Sequence, residues 1–228
     1  MEIGKKTLVV GCVSEEKRLR RYARAAPPNC DMLEVRLDLT GLCGGEWMDL
    51  CKEIRRQGMP VLLTIRDSRE GGEWRGREAD RLALYLAGLK SVSAVDMEIG
   101  AHALMTLAKA AKQVKVAVVG SFHDFKGTPP LARLRAIEAR GRHMGADVVK
   151  VAVKVRSGAD MATLFAFPHG ASGPVCALGM GERAGISRVA LPCAGSCLAY
   201  GALGRATAPG QMDCRRLSAE LRKWGARK

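Results

Sequence analysis

Asp147-Val-Val-Lys150-Val-Ala-Val153 is an apolar run, mostly of β-branched residues, that contains a single lysine. Side chains of this kind suit a pleated, buried surface, so the run reads as an interior strand. A lysine placed there must give up its hydration shell, which is costly unless the amine becomes neutral or does chemistry. Burial lowers a lysine pKa, and the neutral amine can attack a ketone to give a Schiff base. The plain alternative is a strand-end lysine that snorkels to solvent or pairs with a carboxylate. The residues around Lys150 decide between the two.

Working outward, seven more short runs rich in Val, Leu and Ile occur at residues 7–13, 32–39, 61–66, 94–99, 114–122, 175–180 and 198–203. Between most of them lie segments of helical periodicity, at 15–26, 46–57, 78–89, 101–112, 130–144 and 159–167, with a last one at 213–224. Strand and helix alternating at this spacing predict an α/β fold with a parallel sheet. Eight strands is the number a closed barrel needs, so the fold expected over 1–228 is a single (β/α)8 TIM barrel. A dinucleotide-binding sheet would want G-x-G-x-x-G after the first strand, and Val13-Ser-Glu-Glu-Lys17 stands there instead. No P-loop, repeat or linker is present.

The 228 residues carry a net charge of +14, from 37 basic and 23 acidic side chains. The excess is spread through helix-like segments such as Lys17-Arg-Leu-Arg-Arg21 and Arg133-Leu-Arg135, with only ten aromatic rings (three Trp, three Tyr, four Phe) available for stacking. That pattern points to solvated helix faces and against nucleic acid, while a basic field would also draw in a small anion. The eight cysteines form no C-x-x-C pair and read as free, largely buried thiols in a reducing cytoplasm. No segment is long enough to span a bilayer.

In such a barrel the reacting groups sit at the C-terminal ends of the strands. Glu34 and Arg36 close the second run, Arg66 the third, Asp96 and Glu98 the fourth, His123 the fifth, Lys150 the sixth and Met180 the seventh. Glu34 and Arg36 are two apart, so they share a face and can pair with each other or jointly hold a polar ligand. His123 is a candidate general acid/base, its ordinary pKa lying near neutrality. Its orienting carboxylate is left between Glu70 and Asp96.

These pieces in order, Leu33-Glu-Val-Arg-Leu-Asp38, Thr64-Ile-Arg66, Arg69-Glu-Gly-Gly72, Val95-Asp-Met-Glu98, Ser121-Phe-His-Asp-Phe125, Ala146 through Ala152, Gly185-Ile-Ser-Arg188 and Ala208-Pro-Gly-Gln211, resemble the type I 3-dehydroquinate dehydratases of the shikimate pathway over almost the whole chain. The resemblance implies an imine between Lys150 and the C3 ketone of 3-dehydroquinate. It implies that His123 removes a C2 proton and returns one to the departing C1 hydroxyl, with Glu70 orienting the ring. It implies binding of ring hydroxyls by Glu34, Arg36 and Arg66, of the carboxylate by Arg188, and of the ligand's exposed side by Thr207 and Gln211 from a lid at 206–211. Met180 is then an apolar wall above the imine, and Tyr200 lines the far side. A protonated imine is itself an electron sink, so no metal or organic cofactor is expected. A cytoplasmic homodimer is the implied form.

Two positions depart from the family pattern. Thr207 stands where serine is usual, keeping the hydroxyl and adding a stiffening methyl. Gly11 stands near a first-strand position that is a ligand-contacting serine in some members, and no role is assigned to it. Two other readings are open. A class I aldolase acting on another ketone would keep Lys150 but need a phosphate site near the last two strands, and Arg188 lacks a Gly-rich nest beside it. A basic barrel that binds nucleic acid would show salt-sensitive oligonucleotide binding and no role for Lys150.

Overall fold

A computed structural model describes residues 3–207 and 210–227. Strands and helices alternate as β1 (Leu8–Val13), α1 (Glu16–Arg24), β2 (Met32–Arg36), α2 (Leu37–Thr40), α3 (Glu46–Arg56), β3 (Val61–Thr64), α4 (Glu78–Gly88), β4 (Ala94–Glu98), α5 (Leu104–Gln113), β5 (Ala117–Asp124), α6 (Leu131–His143), β6 (Val148–Lys154), α7 (Gly158–His169), β7 (Val175–Met180), α8 (Ser187–Cys193), β8 (Leu198–Ala202) and α9 (Cys214–Lys223). All paired strands are parallel, in the order β7-β6-β5-β4-β3-β2-β1-β8. This is the (β/α)8 barrel that the alternation predicts.

The barrel is nearly closed. Seven strand pairs carry ladders, while the seam between β7 and β8 is stitched by the buried Ser196, whose Oγ accepts from Ala177 N–H at 3.0 Å and lies 3.1 Å from the Leu198 carbonyl. One backbone bond, Cys197 N–H to the Val175 carbonyl at 2.9 Å, completes that seam.

The alternation of side chains along each strand sorts them into two cores. Val95, Met97, Val149, Val151 and Val153 face outward and pack beneath the helices with Leu104, Leu107, Leu134 and Phe167. Val10, Met32, Leu62, Ala94, Val119 and Val148 face inward and fill the lower barrel. The interior positions above them are polar on most strands, which is what places a site at the upper end.

The largest departures from expectation are at two strand boundaries and in two helices, α2 and α8. β2 stops at Arg36, and the chain turns into α2, which ends at Gly41 in the left-handed region (φ 76°). β5 starts at Ala117, because Val114 and Val116 flank Lys115 at φ 58° in the turn that ends α5. α8 has no counterpart in the helical pattern, being seven residues long with Pro192 inside it. Among the basic positions, Lys17, Arg21, Arg24 and Arg133 are exposed on helix faces, whereas Arg135 stacks over the Phe167 ring at 5.3 Å. All eight cysteines are free thiols, with Cys43 and Cys193 exposed and the other six buried. Among the described residues no helix is long and apolar enough to cross a membrane.

Candidate active site

The upper end of the barrel opens on a small cavity lined by Lys150, His123, Glu70, Glu34, Arg36, Arg66, Arg188, Thr207, Gln211, Met180 and Tyr200, all expected at the site, while Asp96 and Glu98 lie behind this lining. Cys12, Gly71, Phe125, Ala152 and Leu178 complete the lining.

Lys150 is 4 % exposed and points into the barrel from the third position of β6. Its amine is not left to face burial alone, which corrects the picture of a solitary desolvated lysine. Nζ lies 2.9 Å from Asp96 Oδ2 and 4.3 Å from the centre of the Tyr200 ring. Asp96 in turn accepts from Arg66 Nη2 and from Ser121 Oγ, both at 2.6 Å through Oδ1. Burial opposes ionisation of Asp96, yet the charges of Arg66 and then Lys150 hold its carboxyl far below the usual range. The site therefore contains a fixed negative charge against the amine.

His123 sits on β5, next to β6, with its ring bound through Nδ1 to Glu70 Oε2 at 2.9 Å. The same oxygen accepts the His123 backbone N–H at 2.9 Å, so Glu70 grips both ends of the residue. With Nδ1 as the donor, the Nε2 lone pair is free to act as a base. Of the two orienting candidates, Glu70 makes this contact and Asp96 serves Lys150. Burial, then the positive charges of Arg66 and Lys150, push the His123 pKa well below its ordinary value of 6.5. The near-neutral titration expected for this histidine is thus corrected: burial and its cationic neighbours favour the neutral imidazole. Burial raises Glu70 to about 7, Arg66 opposing.

The loop after β3 holds Glu70 in place through two glycines. Gly71 is in the left-handed region (φ 79°), and a Cβ on it would meet the Phe125 ring at 2.4 Å. A Cβ on Gly72 would meet the Arg66 carbonyl at 2.0 Å. Any side chain at either position would lift the carboxylate from the ring.

Glu34 and Arg36 share a face, as their spacing requires, but they do not pair with each other. Glu34 accepts from Thr64 Oγ1 at 2.8 Å, and Arg36 makes a two-pronged bond to Asp38 at 3.0 and 2.7 Å. Arg66 spends three of its five donors on Glu98, Ser121 and Asp96. Arg188 is buried at the start of α8, and burial lowers its pKa. Gln211 accepts from Thr207 N–H at 2.8 Å and from its hydroxyl at 3.1 Å, while donating to Cys12 Sγ at 3.3 Å. Ala208 and Pro209 of the expected lid lie outside the described residues.

The sequence model of the family described as type I 3-dehydroquinase matches residues 8–226. The chain belongs to that family. A 3-dehydroquinate dehydratase of Methanosarcina mazei is 37% identical over 223 residues, covering 92% of each chain. Among solved structures, 3-dehydroquinate dehydratase from Geobacillus kaustophilus superposes with a TM-score of 0.89 at 27% identity, covering 98% of this chain and 93% of that one. That from Aquifex aeolicus gives 0.84 at 27%, covering 96% and 98%. Within this type I 3-dehydroquinase, sequence reasoning placed Asp96 at the site without its pairing to Lys150, and it left out Ser121, which bonds Asp96 and Arg66, and Arg81, which lies behind them. Asp96 carried a signal, its place at the end of the fourth strand; Arg81 carried none, since an arginine on a charged helix reads as solvated.

Proposed function

We propose that this type I 3-dehydroquinase dehydrates 3-dehydroquinate to 3-dehydroshikimate through an imine on Lys150. The observation that carries the reading is one juxtaposition: an amine 2.9 Å from a buried carboxylate opens on the same cavity as a histidine gripped at Nδ1 by Glu70.

The amine must shed a proton to attack, so the pair with Asp96 has to loosen as substrate enters. Neutral Nζ adds to the C3 carbonyl, the shed proton and a second one from Nζ pass to its oxygen, which leaves as water, and a protonated imine forms with Asp96 as its counter-charge. The imine withdraws electrons and acidifies the C2–H bond. His123, neutral in the buried site, takes that proton at Nε2. The enamine then expels the C1 hydroxyl, to which the charged His123 returns the proton, so water departs and the histidine is neutral again. Hydrolysis of the imine releases product and Lys150.

Arg188 suits the substrate carboxylate because its planar fork can take both oxygens. Glu34, Arg36 and the remaining Arg66 donors suit the ring hydroxyls, with Thr207 and Gln211 closing over them. Tyr200 offers a buried hydroxyl without a hydrogen-bond partner among the described residues, and Met180 an apolar wall. The proposal includes a cytoplasmic homodimer, whose mass light scattering checks.

Incubation with 3-dehydroquinate and borohydride should leave a reduced adduct on the Lys150 peptide. Lys150→Ala should leave none and lose at least about a thousandfold in turnover. A folded Lys150→Ala protein that turns over at the parental rate would sink the mechanism.

A further inference from the structure

Arg81 lies outside the barrel wall, on α4, and its side chain is 0% exposed. Nη1 reaches Glu98 Oε2 at 2.6 Å and the Ile65 carbonyl at 3.2 Å, and Nη2 reaches Glu78 Oε2 at 2.9 Å. The other Glu98 oxygen accepts from Arg66 Nη1 at 2.9 Å and from Asp67 N–H at 3.1 Å. Arg66 then passes to Asp96 at 2.6 Å, and Asp96 to Lys150 at 2.9 Å. Charges of alternating sign thus run without a gap from the helix layer, through the strand wall, to the amine.

The division of oxygens is what matters. Asp96 gives one oxygen to Arg66 and the other to Lys150, and Glu98 gives one to Arg66 and the other to Arg81. Arg66 is shared between two carboxylates, so whatever satisfies Glu98 from behind frees Arg66 for Asp96. Interactions of this kind are strong where water is excluded.

We infer that Arg81 is a positioning residue for imine formation: by satisfying Glu98 from outside the barrel, it keeps Arg66 on Asp96 and so weakens the grip of Asp96 on the Lys150 ammonium. The inference rests on the imine reading above. It involves no contact between Arg81 and substrate.

Lys150 is faced by Asp96 from β4, Arg66 just after β3, His123 from β5, Glu34 from β2, Cys12 from β1, Cys176 from β7, Tyr200 from β8 and Arg188 from α8. Glu98 is faced by Arg66, Arg81, Arg69, Glu70 and Tyr85, and Arg81 also by Glu78, Asp67 and Tyr85. Arg66 is the side chain that bonds both the Glu98 and the Asp96 carboxylates, and the two sets are also joined by Glu70 on His123 at 2.9 Å and by the Tyr85 hydroxyl, which donates to the Asp96 carbonyl at 2.6 Å.

The test is the rate of borohydride-trapped adduct against pH for the full chain, with thermal unfolding as a control. R81M leaves the Glu98 charge to Arg66 alone, so Asp96 tightens on the amine. The acid limb of the trapping profile should move up by about one pH unit, a roughly tenfold loss at neutral pH that recovers in alkali. E98Q removes the competing charge and should move the limb down, and R81M/E98Q should return it close to the parental position. An unmoved limb in R81M, or a loss by the same factor at every pH, would show that Arg81 only braces the fold. Should R81M fail to fold, E98Q decides alone, and an unmoved or upward limb there overturns the inference. Absence of any adduct in the parental protein counts against the imine reading instead.

Discussion

The inner surface of the barrel has two unlike sides. On β3 to β6 the upper interior is built from Thr64, Arg66, Asp96, Ser121 and Lys150, each buried and each held by a hydrogen bond between strands. On β7, β8 and β1 the matching positions carry Cys176, Leu178, Met180, Tyr200 and Cys12, which fill space and share few bonds. The first side has its charges fixed in advance, so the proposed imine would develop with little reorganisation. The second side is soft and polarisable, borders the one seam without a ladder, and adjoins the segment from Thr207 to Gln211. Fixed charges and the softer, sparsely bonded lining are thus kept on opposite walls.

Substitutions on the charged wall should break the molecule most. His123→Ala removes the base and should lower kcat by about 10²- to 10⁴-fold with the fold intact, read by steady-state kinetics. Asp96→Ala leaves Arg66 and Lys150 facing each other and should cost about 3–5 kcal/mol in denaturant unfolding. A small loss there would mean that the wall is not prestressed by charge. On the seam, Ser196→Ala leaves the Ala177 amide without its partner and should cost about 1–3 kcal/mol.

A pH effect sharpens the same contrast. Glu70 is raised from 4.5 to about 7 in the fold, so the native state holds its proton more tightly than the unfolded chain. Its contribution is complete below about 4.5 and is lost as pH rises through 7, so stability falls across that window. The depressed His123 gives the opposite slope below 6.5. The difference in unfolding midpoint between the parent and Glu70→Gln should therefore shrink in the parent's favour at low pH only; a difference independent of pH would refute the assignment.

The eight strands were legible because short runs of Val, Leu and Ile alternate with segments of helical period, and the site because its residues sit at the same end of those runs. What stayed hidden depends on contacts between distant elements. Val114 and Val116 look like strand until Lys115 turns the chain. The partner of Arg36 is Asp38, across a helical turn that a strand pattern conceals, rather than Glu34. Lys150 reads as a lone charge because Asp96 is 54 residues away. Arg81 reads as a surface residue because the carboxylate that buries it belongs to a strand 17 residues further on.

Seen as a ribbon, the sheet is rolled from β8 round to β7 and fastened along a single line by a hydroxyl and one backbone bond. A ribbon fastened that way comes undone from its edge. In native-state hydrogen exchange, the amides of Ala177 and Cys197 are the ones placed to open by local fluctuation, while those of the β5–β6 ladder wait for the whole molecule to unfold.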